Sequence, residues 1–279
     1  MLKLVRIALW CMGAFVATTG AGAQTQARAA EDLMRRSGLW EQLGGVAPQV
    51  RAGLVDALTQ GGARPSDTEM QRLERAVDTA YAPQRLRATA LAQLRRGLDA
   101  KHVAALRRWY ATPNGKTITA MEERASSDVR DPRTVVAEGT QLLDEMPAAR
   151  RELLNELVTV TRAADAMVQM TINISLATQR GASSVAPQLP GASEAQMRSM
   201  LEAQRPQLMQ AYTVMLLASM AQTYAALPTE TLAQYVGFLK SSAGRHFNDV
   251  TLKAFDAAMV EAATDLGRRL PTSKDQANT

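Results

Sequence analysis

Cysteine is almost absent from this sequence. The single residue, Cys11, lies inside an apolar run near the N-terminus. If that run is removed, the remaining chain has no thiol, so its fold needs no disulfide. A chain of 279 residues is long enough for a packed core to stabilise it instead. A lipid anchor at Cys11 is disfavoured, because Trp10 precedes it where such sites normally have a small residue.

Aromatic residues and strand-like patterns are also scarce. Aromatic residues make up 4% of the chain, and β-branched residues never gather into strand-like runs. Alanine, leucine, methionine, arginine, glutamine and glutamate are abundant instead, and these are the best helix formers. The balance of 46% hydrophobic and 21% charged residues is that of an ordinary globular protein. The sequence therefore predicts an all-α helical bundle.

Groups that carry chemistry are few. The two histidines, His102 and His246, belong to no His-x-x-x-His or Glu-x-x-His pattern, so a zinc or di-iron site is not expected. No serine lies in a Gly-x-Ser-x-Gly turn, and no glycine pair leads into Lys-Ser/Thr. The adjacent carboxylates Glu122 and Glu123 are interpreted as part of a solvated helix face. We expect no catalytic residue, metal or cofactor.

The positive charge of the chain is dispersed. The formal net charge is +5, but the arginines are interleaved with aspartate and glutamate. A nucleic-acid-binding protein usually gathers its basic residues in one patch with aromatic rings nearby. The sequence has no such block, so nucleic acid is not an expected partner.

Residues 1–23 have the organisation of a secretory signal peptide. Lys3 and Arg6 precede the apolar segment 7–18, and Ala-Gly-Ala at 21–23 supplies the small-residue cleavage pattern. We expect cleavage after this pattern and export, with the periplasm as the destination. The apolar segment is short for a membrane span, and an uncleaved anchor is the alternative.

A second uncharged stretch lies between Arg205 and Glu230. It contains several glutamine, serine and threonine residues, too many for a helix that faces lipid. Its larger apolar residues recur at helical spacing, which predicts a helix buried in protein. We therefore expect no transmembrane helix in the mature chain.

Capping and proline signals predict where the helices begin. Ser66 and Glu69 form a capping box ahead of a helix over 67–80. Pro83 and Asp99 predict helices over 83–97 and 100–112, and further helices are expected to start at Pro132, Pro147, Pro206 and Pro228. Loops are predicted over 59–66 and 180–193.

The chain also contains a weak internal repeat. Residues 109–118 (WYATPNGKTI) align with 238–247 (FLKSSAGRHF) at a shift of 129, and apolar positions further upstream align at a shift of 124. This predicts two repeated multi-helix units, 24–146 and 147–270, followed by a flexible polar tail, 271–279. Chance alignment of two amphipathic helices is the alternative.

The aligned segments predict two equivalent helix–helix corners. In each, an aromatic residue in the last turn of one helix is followed by a turn containing Gly115 or Gly244 and then by a new helix. Glycine permits a positive φ or a close approach of backbone at such a turn. Ile118 or Phe247 in the new helix is expected to pack near the preceding aromatic residue.

The pattern aromatic-x-x-Ser/Thr-x-x-Gly-basic resembles a turn found in an exported bacterial family, domain-of-unknown-function family 2059. Residues 109–116 (WYATPNGK) match it well, whereas 238–245 (FLKSSAGR) have serine in place of proline. With the flanking helices, the resemblance covers about 60 residues in each half. It implies a signal peptide, helices and an envelope location, and it implies no catalytic residue.

Methionine is concentrated in the second half of the chain. We predict that helices over 157–179 and 206–226 form a central layer, because both carry long uncharged stretches where the first unit is charged. The first unit, a second copy of the chain or an apolar ligand would cover this layer. Five side chains are candidates for the apolar binding or interface surface: Met167, Met170, Tyr212, Met215 and Met220.

These observations predict an exported, non-enzymatic helical protein that binds a protein partner or an apolar ligand in the cell envelope. Two alternatives stay open. One is an enzyme whose site is formed by residues distant in sequence. The other is a periplasmic copper-handling protein, since Met167-x-x-Met170 and Met197-x-x-Met200 each place two thioethers on one helical face, and thioethers suit Cu(I).

Overall fold

The computed structural model describes residues 26–60, 66–127, 130, 132–187 and 192–270, and within them every regular element is a helix. The predicted signal peptide and tail lie outside the described residues. In chain order the helices are α1 (26–36), α2 (Leu39–Gly44), α3 (Val46–Gln60), α4 (Asp67–Ala80), α5 (Pro83–Gly97), α6 (Ala100–Ala111), α7 (Pro113–Ser126), α8 (Pro132–Glu145), α9 (Ala148–Thr161), α10 (Ala163–Val185), α11 (Glu194–Ala203), α12 (Arg205–Thr223), α13 (Thr229–Lys240) and α14 (Ser242–Arg269). The prediction of an all-α bundle is confirmed.

Local signals set most helix ends. The Ser66 hydroxyl accepts a hydrogen bond from the Glu69 amide (3.3 Å), and the Glu69 carboxylate accepts one from the Ser66 amide (2.8 Å). This capping box starts α4 as predicted. α5 and α8 begin at Pro83 and Pro132, in agreement with the sequence.

Two differences from the predicted boundaries lie at α9 and α10. The helix expected over 157–179 is interrupted at Arg162, which has a φ of 54° and separates α9 from α10. A left-handed residue ends a helix because its backbone cannot continue the right-handed turn. α10 then continues to Val185, so the loop predicted from residue 180 begins later.

The predicted central layer is wrong in one respect, because the central helix is α14. It contacts α4, α5, α6, α9, α10 and α13. Many of its buried residues are alanines, among them Ala254, Ala258 and Ala262. Small side chains let neighbouring helices approach on several sides. α14 carries charges along its length. It therefore lacks the long uncharged stretch from which the central helices were predicted.

α10 makes its most extensive contact with α14, through two glycines. A Cβ atom added at Gly181 would lie 2.1 Å from the Thr264 carbonyl oxygen, and one added at Gly267 would lie 2.0 Å from the Thr178 carbonyl oxygen. The two backbones are therefore too close for any larger residue at either position.

α12 is covered along its C-terminal half by α8, a helix of the predicted first unit. A Cβ atom at Gly139 of α8 would lie 2.2 Å from the Ala218 carbonyl oxygen. Ala218 and Ala221 are buried, whereas Val214, nearer the start of α12, is 49% exposed. The prediction that the first unit covers this layer thus holds for one half of α12.

The core joins both predicted units. Its largest cluster combines buried side chains of α1 to α6, such as Leu33 and Leu94, with residues of α14, such as Phe247 and Leu266. A second cluster contains Ile118 of α7 together with Leu154, Leu232 and their neighbours. Neither cluster is built from one unit alone, so the units pack as one body.

The two corners have matching geometry. The Thr112 hydroxyl accepts from the Gly115 amide at 3.0 Å, and the Ser241 hydroxyl accepts from the Gly244 amide at 3.0 Å. A Cβ atom at either glycine would lie 2.2 Å from the carbonyl oxygen of Trp109 or Phe238, respectively. These glycines are therefore structural because of close approach; the positive-φ glycine among the described residues is Gly38.

A further parallel appears upstream. Gly38 (φ 75°) precedes α2 and Arg162 (φ 54°) precedes α10, and these two residues lie at the 124-residue shift of the sequence alignment. Ser66 and Ser193 also begin α4 and α11 with capping boxes. Such parallels are what a duplication would leave, although the duplication itself stays a prediction.

We expect Gly115→Ala and Gly244→Ala each to lower the free energy of unfolding by about 1–3 kcal/mol, because the new methyl group meets a backbone oxygen. Urea denaturation of the two variants measures this loss. Gly53→Ala is the control, since nothing lies within 4 Å of a Cβ there. Corner variants as stable as the Gly53→Ala control would contradict the close approach.

Candidate functional site

The five residues predicted to form one apolar surface are all partly buried, but they are not gathered in one place. Met170 packs against the largest cluster, Met220 against the second, and Tyr212 against a third. Met167 and Met215 are partly buried outside these clusters. Of the five, Tyr212 alone belongs to the site that the structure favours.

That site is the third cluster, between α10, α11 and α12. Its buried base is formed by one face of α10, on which Val168, Ile172 and Leu176 follow one another at intervals of one helical turn. The side chains that pack on this base are only partly buried: Met197, Leu201, Leu208, Met209 and Tyr212. We call this packed set of eight side chains the α11 cleft, because displacement of α11 would open it.

α11 covers the cleft thinly. None of its residues is buried, and Met197 and Leu201 are the side chains that it contributes to the cleft. Ion pairs hold its two ends: Arg180 to Glu194 at 2.9 Å and Arg205 to Glu202 at 2.6 Å. Ion pairs between side chains that remain in contact with solvent stabilise little. α11 therefore lies over the cleft without burying any residue of its own.

Exposed apolar side chains occur on the same three helices. Among the described residues, the large hydrophobic side chains that are exposed are Val185 of α10 (48%), Met200 of α11 (62%) and Val214 of α12 (49%). Scattered exposed hydrophobic residues are normal on a protein surface. Their restriction to the helices of the cleft distinguishes this region from the rest of the described chain.

The polar groups beside the cleft bond to one another. The hydroxyls of Thr171 and Tyr212 are 2.7 Å apart, and Thr171 also donates to the Met167 carbonyl oxygen at 2.9 Å. At the start of α12, Arg205 donates to the Gln169 side chain at 2.8 Å. Because these groups already have partners, the cleft presents mainly apolar contacts.

Glu122 occupies an environment that the sequence interpretation missed. Its Oε1 accepts hydrogen bonds from the Tyr224 hydroxyl (2.6 Å) and the Tyr235 hydroxyl (2.8 Å). The expected solvated face is wrong for this residue, because Glu122 lies one helical turn after buried Ile118, on the inner side of α7. That spacing was the available signal in the sequence. Burial raises the pKa of the Glu122 carboxyl.

The two histidines also meet, although the repeat does not pair them. The ring centroids of His102 and His246 are 4.8 Å apart, and the Asp99 amide donates to His246 Nε2 at 3.0 Å. Within the described ranges, no group of three or more His, Cys, Asp or Glu side chains is placed to hold a metal ion. The pair joins the start of α6 to the first turns of α14.

The methionines of the copper alternative lie in different environments. Met197 packs into the α11 cleft, whereas Met200 on the same helix is 62% exposed. Met170 packs on the largest cluster, whereas Met197 and Met209 pack on the third. A Cu(I) site needs several thioethers converging on one point.

Comparisons with models of protein families, with curated proteins and with solved structures gave no match to this chain. The resemblance to family 2059 therefore stays a prediction. In the part of the chain that the structure describes, no helix has both the length and the hydropathy needed to cross a bilayer.

Proposed function

We propose that this chain is an exported, non-enzymatic helical protein that binds an apolar ligand in the α11 cleft. The observation that carries the proposal is the thin cover of this apolar surface: α11 has no buried residue, yet the side chains beneath it are large and apolar. Displacement of α11 would expose the face formed by Val168, Ile172 and Leu176, which an apolar ligand could cover in its place.

The chemistry of the cleft favours an apolar chain over a peptide. A bound peptide would bring backbone N–H and C=O groups that need partners. Thr171 and Tyr212 already bond to each other beside the cleft. A hydrocarbon chain makes no such demand, and the flexible side chains of Met197 and Met209 can adapt to its shape. A strip as long as α11 extends about 15 Å, which suits a single acyl chain.

The envelope location rests on the sequence. The charged, apolar and small-residue segments of residues 1–23 are those of a signal peptide, and the corner motif resembles an exported family. A carrier or sensor of acyl chains would suit the periplasm, where such molecules cross water between two membranes. A partner protein on the exposed Met200 and Val214 side chains is the second candidate, and a homodimer would use the same side chains.

The test is binding of a fluorescent fatty acid to the mature chain, followed by displacement with unlabelled fatty acids of increasing length. We expect saturable binding that strengthens as the chain lengthens, because each buried CH₂ group contributes about 0.8 kcal/mol. Met197→Gln should weaken binding several-fold, since it places an amide in the cleft.

Met200→Gln is the matched control. It makes the same substitution on the same helix, but at a side chain that is 62% exposed and outside the cleft. Equal weakening by both variants would assign the dye to the helix surface. An absence of saturable binding by the wild-type chain would leave the proposal without support, and the exposed side chains would then point to a protein partner.

A further inference from the structure

Glu122 lies at a junction of helices from both predicted units. It belongs to α7, whereas Tyr224 ends α12 and Tyr235 belongs to α13. Both hydroxyls donate to the same carboxylate oxygen, at 2.6 and 2.8 Å. The two tyrosine rings meet edge to face with centroids 6.3 Å apart. One carboxyl group thus fixes both sides of the turn between α12 and α13.

We propose that Glu122, Tyr224 and Tyr235 form a proton-operated latch, which holds the α12–α13 turn against α7 while the carboxyl is protonated and loosens when it ionises. A neutral carboxyl can stay between buried Tyr224 and partly buried Tyr235 and still accept their hydrogen bonds. An ionised carboxylate needs more solvation than two hydroxyls provide, so it favours entry of water into the junction.

The surroundings of the Glu122 carboxyl agree with a latch that holds in the protonated state. Burial raises the pKa of Glu122, and the neighbouring Glu123 charge raises it further, whereas the two tyrosine hydrogen bonds lower it. Burial also raises the pKa of Tyr110, Tyr224 and Tyr235, so these phenols remain neutral donors when the carboxyl titrates. On the other side of the turn, Arg150 donates to the Tyr224 carbonyl oxygen at 2.6 Å.

The sign of the pH dependence follows from the raised pKa. Between the usual value of 4.5 and the higher value in the fold, the unfolded chain loses its proton while the folded chain keeps it. This group therefore contributes less stability as the pH rises through that interval. Carboxylates with a lowered pKa change the stability in the opposite direction as the pH rises. The pKa of Glu194, for example, is lowered by its hydrogen bond from Arg180.

Individual backbone amides can report on the latch separately from the other carboxylates. The Leu227 amide donates to the Tyr224 carbonyl oxygen (2.8 Å), and the Leu232 amide donates to the Pro228 carbonyl oxygen (3.0 Å). Both amides belong to the latched turn. The Leu98 amide, bonded to the Leu94 carbonyl oxygen at 2.8 Å, belongs to another part of the fold and serves as an internal reference.

The experiment compares hydrogen exchange of these amides at about pH 5 and pH 8, corrected for the intrinsic exchange rate, in the ligand-free mature chain. In the wild type, protection of the Leu227 and Leu232 amides should fall several-fold more than that of Leu98. Glu122→Gln, which cannot ionise, should remove this difference, and the matched control Glu123→Gln should retain it. A Glu122→Gln variant that keeps the wild-type loss of protection would overturn the latch, as would a Glu123→Gln variant that abolishes it.

Tyr235→Phe provides a second test that does not require Glu122→Gln to fold. It removes one hydrogen bond that favours the ionised carboxylate, so the loss of protection should move to higher pH. An unmoved transition would also overturn the proposal. The latch is independent of the proposed ligand, because every measurement is made on the free chain.

Discussion

Gly267→Ala should lower the free energy of unfolding by about 3 kcal/mol. The new methyl carbon would lie 2.0 Å from the Thr178 carbonyl oxygen, so α10 and α14 must separate. That separation would disturb the most extensive helix contact of the fold, because α14 is packed on its other sides by α4, α5 and α6 and cannot simply withdraw. Close-packed protein interiors relax only partly around an added atom.

Gly237→Ala is the matched control, and the expected change has the opposite sign. Gly237 also lies inside a helix, but nothing is within 4 Å of a Cβ there. Alanine should therefore stabilise the chain by about 0.5–1 kcal/mol, since it restricts the unfolded state without a clash. Urea denaturation of both variants measures the contrast. If both substitutions stabilised the protein, α10 and α14 would not be as close as described.

Phe247→Ala should destabilise by about 3–5 kcal/mol, the range for removal of a buried phenylalanine. Phe247 is 5% exposed and follows the second corner in the first turns of α14. Its ring meets Tyr110 of α6 edge to face, with centroids 5.9 Å apart. The substitution would therefore leave a cavity between helices of both predicted units.

Two further variants make this result specific. Phe247→Leu keeps much of the volume and should cost about 1.5 kcal/mol or less. Val214→Ala removes an apolar side chain that is 49% exposed and should change the stability by no more than about 0.5 kcal/mol. Thermal unfolding monitored by circular dichroism ranks the three variants. A Phe247→Ala variant as stable as Val214→Ala would mean that the ring is not part of the core.

Several local features were predictable from the sequence. The capping box at Ser66, the starts at Pro83 and Pro132, and the glycine corners at Gly115 and Gly244 are all present. Each of these features depends on residues a few positions apart, so a short segment of sequence includes all the residues that form it. Of the two reasons predicted for the corner glycines, the structure shows the close approach to a carbonyl oxygen and not the positive φ.

The candidate site was predictable only in part. Tyr212 was named from its position on an uncharged helix, and it does border the α11 cleft. Met170 and Met220 were named from the same kind of helical spacing as Tyr212. They pack against the largest and the second cluster instead. Periodicity indicates that a helix has an apolar face, but it does not indicate which neighbour that face contacts.

The sequence by itself determined the helical class, the positions of most helix ends and the two corner turns, since propensity and capping act over a few residues. Only the tertiary structure decided that the charged, alanine-rich α14 is central and that Glu122 meets Tyr224 and Tyr235. These outcomes depend on contacts between residues far apart in the chain. A long-range contact is set by the combined packing of many helices, and no local pattern records it.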